Sequence, residues 1–507
     1  MKINKIIPRP IACSALLILL AMLVGTLSGC GMIIINGRPG TSEEATTVIP
    51  EPEDTTSPPE TTPETEPPVG DTTEAPETAR PIDPVVFPDR SGEAEERLEA
   101  IDDPVGISSF DLVIASASDT TDVIFCDEDS PLYEARSKRN AMLYEKFSVD
   151  IRTIYESADS EKIYGDLLLA LQAGENAEIY LDLIIIPANQ VGRFLAKGLI
   201  KDMRSLPFYS INDGSASGNI GSSRYADFGA GTDAPEYIYT LYFNRALLGE
   251  EVSKKLYDAA LGSSLTFESI AEAAKATESR IADIGVSEGA ELLGDLSVAL
   301  SGVSYITKDT SGTPKLAISD SDLQLIDGLI EGVSKLNVYQ VTEGSAPALD
   351  RFKSGEIPFY LGTLSDMLDL YDERVEWGLL TLPSDKDVGA VADDHPAICL
   401  PVIASRLEQT SIWLSGFNAA SGEWIRDSLL KTSIENYLRD NSSCLVMSKI
   451  LSQKAELGFE RIFAGYYDGL AAATYVGAGE AVSGNIRYSD IYSKNLSALN
   501  KKLSKLP

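Results

Sequence analysis

Apolar runs of strand length alternate with amphipathic stretches in the first half of the chain. Phe110–Ala115 and Leu181–Pro187 are apolar runs, and Val149–Tyr155 alternates apolar with polar residues. Between these runs, Pro131–Ser148 and Glu161–Ala173 repeat apolar residues at helical spacing. Strands that are apolar on both faces are covered on both sides, so this β-α-β-α-β order predicts an α/β fold with a parallel sheet.

The second half continues the pattern with strands first and helices later. Strands are predicted at Tyr237–Asn244, Ile357–Gly362 and Val375–Pro383, and helices follow the first of them at Arg245–Ala259 and Phe267–Ser279. The C-terminal part is mainly helical by period, with helices predicted at Ala419–Leu430, Thr432–Arg439, Ser442–Leu457 and Ile491–Leu506.

Residues 1–30 have the composition of a bacterial lipoprotein export signal. Basic residues at positions 2, 5 and 9 precede an apolar run over 11–24, and the tetrapeptide LSGC ends at Cys30. This pattern predicts cleavage before Cys30 and a lipid on its thiol. The alternative is an uncleaved membrane anchor, but the apolar run is shorter than the ~20 residues that a spanning helix needs.

The segment 31–106 is rich in Thr, Pro and Glu and poor in residues that could form a core. Between positions 41 and 100 it carries seventeen acidic residues and three arginines. Such a composition cannot bury enough apolar surface to fold, so it predicts a disordered linker between the lipid and a folded part at 107–507. That folded part is long enough for two lobes with separate cores.

The net charge and the reactive residue types of the chain limit the classes of function that it can have. The formal net charge of −35 argues against nucleic acids and polyanionic substrates. The chain has a single histidine, His395, which is expected in a solvated turn, and no His-Glu-x-x-His motif. Cys126, Cys399 and Cys444 lack metal-ligand spacing and are expected to be small buried residues. We therefore expect no catalysis, cofactor or metal.

Four stretches of the sequence carry a resemblance to a known family. They are DEDSP with YEKF within 127–147, LIIIPANQVGRFLAKGLIKD at 183–202, LYFNRALL with TFE within 241–268, and FKSGEIPFYLG with GLLTLP within 352–383. In this order they resemble the family-one extracellular solute-binding proteins, the sugar-type binding lipoproteins of ABC importers. The resemblance covers most of residues 108–475. Phe267 and Pro358 depart from it, because the family usually has Trp and Ala at these positions.

The resemblance implies a two-lobed periplasmic-binding-protein-like fold of type II, with a hinge of crossing strands. One lobe would hold about 108–233 and 385–430, and the other about 236–384 and 431–507. It also implies capture of a small neutral solute, a mono- or oligosaccharide, for ABC permease subunits. The protein would be lipid-anchored on the extracytoplasmic face of the cell membrane, with a Gram-positive-type surface favoured. Ligand presentation to a sensor, surface adhesion and peptide binding remain alternatives.

Candidate ligand-binding residues follow from where the predicted strands end. Ligands of open α/β sheets bind beyond the carboxyl ends of the strands, and sugar sites combine aromatic faces with carboxylates and amides. The candidates in loops that follow strands are Asp119, Asn189, Gln190, Thr363, Ser365 and Asp366. Glu236, Tyr237 and Tyr239 are candidates because they lie at the implied first crossing between the lobes, and Trp377 because it lies on the second crossing strand and could stack on the ligand. For the polar residues the competing interpretation is a loop or helix-capping role. For Trp377 it is burial in its strand.

Overall fold

The structure, a computed structural model, describes residues 90–503 apart from gaps at 109, 121, 126–127, 155–157, 175–178, 210–217, 221, 278–279, 309–313, 343, 372–374, 385–387, 391, 393–394, 456 and 468. The predicted signal, Cys30 and the linker up to residue 89 lie outside the described residues. Within the described ranges, no helix has both the length and the apolar character to cross a membrane.

Strands and helices alternate along the described chain. The strands are β1 (Asp111–Ser116), β2 (Asp150–Ile154), β3 (Leu183–Pro187), β4 (Ile200–Lys201), β5 (Asn219–Ile220), β6 (Ser223–Arg224), β7 (Tyr239–Asn244), β8 (Ile284–Val286), β9 (Ile306–Lys308), β10 (Pro314–Leu316), β11 (Phe359–Thr363), β12 (Trp377–Leu380), β13 (Val388–Gly389), β14 (Pro396–Pro401) and β15 (Lys454–Ala455). The helices are α1 (Ser91–Glu99), α2 (Tyr133–Phe147), α3 (Ser160–Ala173), α4 (Val191–Ala196), α5 (Arg245–Leu261), α6 (Phe267–Ala274), α7 (Glu291–Leu300), α8 (Asp320–Val333), α9 (Ala348–Lys353), α10 (Met367–Leu370), α11 (Leu407–Ala420), α12 (Glu423–Asn436), α13 (Asn441–Ser452), α14 (Phe459–Ile462), α15 (Leu470–Ala473), α16 (Tyr475–Gly484) and α17 (Tyr488–Leu503).

The first lobe is built on a sheet with the strand order β2-β1-β3-β14-β4. β1 runs parallel to β2 and β3, as predicted. β14 enters from the distant part of the chain and runs antiparallel to both β3 and β4, so the sheet is mixed rather than wholly parallel. Every residue of β3 and β14 is buried, which is the burial expected of central strands covered by helices on both faces.

The second lobe is built on a sheet with the order β12-β7-β11-β8. β7 is central and all six of its residues are buried. It pairs antiparallel with both β11 and β12, whereas β8 lies parallel to β11. The carboxyl ends of β8 and β11 therefore lie at the same edge of this sheet.

Two chain segments that join the lobes run side by side. The amide of Tyr239 donates to the carbonyl of Ala390 at 2.9 Å, and the amide of Ala392 donates to the carbonyl of Tyr237 at 3.1 Å. These bonds pair Tyr239 with Ala390 and Tyr237 with Ala392 in antiparallel sense. The prediction of a two-lobed α/β fold with crossing strands at the hinge is confirmed.

A segment near the C-terminus packs on the first lobe, although the predicted lobe boundaries place it in the second lobe. A Cβ atom on Gly192 in α4 would lie 2.9 Å from the backbone of Phe463, and one on Gly465 would lie 2.8 Å from the backbone of Arg193. The chain around 459–467 thus packs closely on α4, although the sequence assigns 431–507 to the second lobe. The contact buries Phe463 completely, which explains why this segment leaves the second lobe.

The folded part also begins earlier than the predicted boundary at 107. Helix α1 lies inside the segment interpreted as linker, and it buries Ala94 and Leu98, which are four residues apart on one face. The guanidinium of Arg97 donates to the carbonyls of Ala419 and Ser421 at 3.2 and 2.7 Å. The prediction of a linker up to 106 is wrong for this helix. Its apolar face is short and most neighbouring residues are acidic, so the sequence pattern does not indicate a buried helix.

Two of the cysteines behave as predicted. Cys399 and Cys444 are buried and are not in disulfides. Burial raises the pKa of the Cys444 thiol to about 11, so it stays protonated and unreactive at neutral pH. The third, Cys126, lies outside the described residues.

Candidate ligand-binding cleft

Two adjoining cavities lie where the carboxyl ends of β1 and β3 in the first lobe meet those of β8 and β11 in the second. The first cavity has a volume of about 440 Å³ and the second about 710 Å³. The first is lined by Asp119, Pro187, Asn189, Gln190, Tyr237, Ser287, Glu288, Thr363, Asp366 and Ala392. The second is lined by Ser116, Ala117, Ser118, Thr120, Asp122, Phe125, Asp129, Ser130, Pro131, Arg136, Glu236, Tyr237, Ser365 and Leu368. Residues of both lobes line each cavity.

The first lobe presents its polar groups from the loops after β1 and β3. Pro187 ends β3, and a single 3-10 turn at Ala188–Gln190 leads directly into α4. This turn places Asn189 and Gln190 at the first cavity, where the Gln190 amide donates to the Asn189 side-chain oxygen at 3.2 Å. The two amides therefore hold each other in place.

Asp119 combines a cavity position with a capping role. One of its carboxylate oxygens accepts from the Ser160 amide at 3.0 Å and the other from the Ser160 hydroxyl at 2.6 Å. Ser160 is the first residue of α3, so the carboxylate also stabilises the start of that helix. The capping role offered by the sequence is therefore confirmed, and ligand binding by Asp119 stays a prediction that its cavity position allows.

The second lobe presents Thr363, Ser365 and Asp366 from a 3-10 turn that follows β11. The Asp366 carboxylate accepts from the Thr363 amide and the Tyr360 hydroxyl, both at 3.0 Å. Burial raises the pKa of Asp366, although those two hydrogen bonds oppose the shift. A Cβ atom on Gly362 would lie 1.9 Å from an Asp366 carboxylate oxygen, so this packing requires glycine.

The crossing segment supplies Glu236 and Tyr237. A carboxylate oxygen of Glu236 lies 2.6 Å from a terminal nitrogen of Arg136, and both side chains are buried. Tyr237 is half-buried and lines both cavities, so the two spaces meet at its side chain.

Two of the candidate residues do not line either cavity. Trp377 is buried in the sheet, where its indole nitrogen donates to the Leu370 carbonyl at 3.1 Å and its ring meets Tyr242 edge-on. Tyr239 is also buried, but its hydroxyl donates to the carboxylate of Glu288, which does line the first cavity. The prediction of Trp377 as a cleft residue is corrected, because all four residues of β12 are buried and this side chain packs in the core.

The sequence missed Ser287 and Glu288, which follow β8 and line the first cavity. β8 has only three residues, too few for a periodic signal to mark its end. Residues 285–289 also match the Gly-x-Ser-x-Gly pattern of a hydrolase elbow. In a hydrolase elbow the serine sits in a strained turn and a histidine acts as its base. Among the described residues Ser287 does not have a positive φ, and His395 lines neither cavity.

His395 lies beside the crossing segments rather than in a solvated turn. Its ring is 6.0 Å from the ring of Phe228, and its Nδ1 lies 3.1 Å from the Pro396 carbonyl. Burial lowers the pKa of His395, which favours the neutral ring at neutral pH. The residue is half-buried rather than fully solvated as expected, because the following residues continue directly into the buried strand β14.

The chain matches known proteins by structure but not by sequence. No family model and no curated protein sequence matches it. Solved structures similar to it include the galacto-N-biose-/lacto-N-biose I-binding protein of an ABC transporter from Bifidobacterium longum, with 12% identity, coverage of 80% of this chain and 99% of that one, and a TM-score of 0.49. Others are the GacH receptor of Streptomyces glaucescens, with 13% identity, 78% and 99% coverage and a TM-score of 0.46, and the sugar-binding protein MalE from Xanthomonas citri, with 14% identity, 78% and 98% coverage and a TM-score of 0.47.

Proposed function

We propose that this chain is a solute-binding protein that captures a small polyhydroxylated solute, a mono- or oligosaccharide, between its two lobes and delivers it to the permease of an ABC importer. The observation that carries the proposal is the cleft itself. Asn189 and Gln190 from one lobe and Thr363 and Asp366 from the other line one cavity, with Tyr237 from the crossing segment between them.

This set of side chains suits a sugar. Carboxylate and amide oxygens accept hydrogen bonds from hydroxyl groups, amide nitrogens and serine or threonine hydroxyls donate to them, and an aromatic ring packs against the C–H face of a pyranose. Cavity volumes of about 440 and 710 Å³ fall within the range of small-molecule sites.

The position of the cleft supports a capture role. A ligand that contacts both lobes favours the arrangement in which the lobes are closed around it, by as much as its affinity differs between the open and closed states. A closed, ligand-loaded form is what a permease could distinguish from the empty protein.

A thermal-shift screen of residues 90–507 against sugars, peptides and polyamines tests the proposal. A ligand that binds only the folded state stabilises it by RT ln(1 + L/Kd), where L is the ligand concentration, so the unfolding temperature rises with that concentration. We expect at least one sugar-like solute to raise it. A shift caused only by peptides would contradict the assignment to sugars, and the absence of any shift would contradict solute capture.

We also propose that the mature protein is anchored to the extracytoplasmic face of the membrane by a lipid on Cys30. The basic and apolar residues before LSGC support this. Cells that express the Cys30→Ser variant should release or mislocalise the protein and should no longer incorporate labelled palmitate into it. Equal labelling of the variant and the unaltered protein would contradict the anchor.

A further inference from the structure

Two buried oxygen atoms at the second cavity have no hydrogen-bond partner among the described residues. They are the Oγ of Ser116 and the Oε2 of Glu236. Ser116 is 4% exposed and Glu236 is 5% exposed, and both residues line the second cavity. A buried carboxylate oxygen without a donor is costly, because the water it gave up is not replaced. The second cavity is therefore shaped for a group that donates hydrogen bonds at these two atoms.

The lining of both cavities is strongly acidic. Its charged residues are Asp119, Glu288 and Asp366 in the first cavity, and Asp122, Asp129, Glu236 and Arg136 in the second. The one cation in this set, Arg136, already lies against the Glu236 oxygen Oε1. The negative charge of the cleft is thus largely uncompensated by its own lining.

We propose that the second cavity binds a protonated amino group of the solute, with Glu236 Oε2 and Ser116 Oγ as its hydrogen-bond acceptors. The solute is then an amine-bearing one, such as an amino sugar, rather than the neutral sugar expected from the sequence. This inference rests on the proposed function and specifies the substrate class of the same cleft.

An ammonium group fits both observations better than a hydroxyl group. It has three donors and no acceptor, so it can donate to carboxylate and hydroxyl oxygens without needing a donor from the protein. Its charge also offsets the acidic lining, whereas a neutral hydroxyl leaves that charge in place. The rings of Phe125 and Tyr237 line the same cavity and offer faces that attract a cation.

Burial raises the pKa of Asp122 and of Asp366, and the neighbouring carboxylates Asp369 and Glu288 raise that of Asp366 further. An ammonium group bound in the second cavity would oppose the shift of Asp122, which lines that cavity, by favouring its ionised carboxylate.

Calorimetric titration with matched pairs of probes tests the inference. The pairs are glucosamine and glucose, galactosamine and galactose, and mannosamine and mannose, with putrescine as an amine without a sugar ring. We expect the amine of at least one pair to bind the chain roughly tenfold or more tightly than its neutral partner, because a charge-assisted hydrogen bond replaces a neutral one.

Variants locate the amine at the second cavity. Glu236→Gln should weaken binding of that amine roughly tenfold to a hundredfold, and Ser116→Ala several-fold, since each removes an acceptor from the buried group. The control Glu251→Gln removes one carboxylate from the exposed surface of α5 and should leave affinity unchanged. If Glu236→Gln disturbs folding by releasing Arg136, then Ser116→Ala still decides, because its small hydroxyl has no ionic partner.

The outcomes separate this inference from the proposal it rests on. Equal or tighter binding of the neutral sugars overturns the amine assignment and leaves sugar capture standing. Binding of putrescine in place of all amino sugars keeps the cationic site but overturns capture of a sugar. If no amine binds, the inference is wrong, and the thermal-shift screen decides the proposed function separately.

Discussion

At the residue scale, Tyr237 holds the position on which the cleft most depends, since it lines both cavities at the crossing between the lobes. We expect Tyr237→Ala to weaken ligand binding by ~1–3 kcal/mol, because it removes the one tyrosine ring that both cavities share. Tyr237→Phe should cost less, because only the hydroxyl is lost. Titration calorimetry of both variants checks this. Equal losses for Ala and Phe would assign the effect to the hydroxyl and contradict ring stacking.

The protonation of Asp366 gives binding a pH dependence. Because burial raises its pKa, the carboxyl takes up its proton at a higher pH than an ordinary aspartate does. A ligand that requires the ionised carboxylate should bind more weakly as the pH falls through this raised pKa, already above the ~3.9 of an unperturbed aspartate. Affinity measured from pH 7.5 downward should show this loss, and Asp366→Asn should bind weakly with a flatter profile. The same slope in both proteins would exclude Asp366 as its source.

Most of the candidate residues that the sequence offers line one of the two cavities. Asn189 and Asp366 follow long apolar runs whose carboxyl ends are easy to locate, and both line the first cavity. The prediction for Trp377 was wrong because the sequence indicates its strand but not which side chains of that strand face the core. Arg136 could not be recognised at all, since a helical arginine gives no sign that it will be buried against a distant glutamate.

At the element scale, α1 connects the folded part to the N-terminal segment and stabilises the first lobe. Leu98 is 2% exposed, and its Cδ1 would lie 3.4 Å from a Cβ atom on Gly416 in α11. Leu98→Ala should therefore lower the free energy of unfolding by ~2–4 kcal/mol through lost burial and a cavity.

Chemical denaturation of Leu98→Ala beside a matched control checks the role of α1. Leu169→Ala removes the same atoms from a leucine of α3 that is 62% exposed, and it should change stability by less than ~0.5 kcal/mol. If Leu98→Ala were as stable as this control, α1 would not be part of the fold, and the predicted linker boundary near 106 would stand.

Elements with long periodic patterns were predictable, and short or late ones were not. β1, β3, β7 and α3 fall within a few residues of their predicted bounds. β8 has three residues, and β14 begins and ends with proline, so neither shows a strand pattern. Their places in the two sheets depend on pairing with residues far along the chain, which local sequence does not encode.

At the scale of the whole molecule, the account depends on two lobes that present polar groups to a shared cleft. The paired residues Tyr237 and Tyr239 with Ala392 and Ala390 are the natural place for a change in the angle between the lobes, because the chain crosses there in both directions. The two-lobed order was predictable from the sequence. The return of the chain around 463 to the first lobe was not, because it depends on packing against α4.

The central claim is that one solute contacts both lobes at once, and affinity measured for one variant from each lobe tests it most directly. Asn189→Ala from the first lobe and Asp366→Ala from the second should each weaken binding of the solute with the largest thermal shift. The expected loss is ~1–3 kcal/mol apiece, since each leaves a ligand group without its partner. If both variants bind that solute as tightly as the unaltered protein, the solute does not occupy this cleft and the proposed mode of capture is wrong.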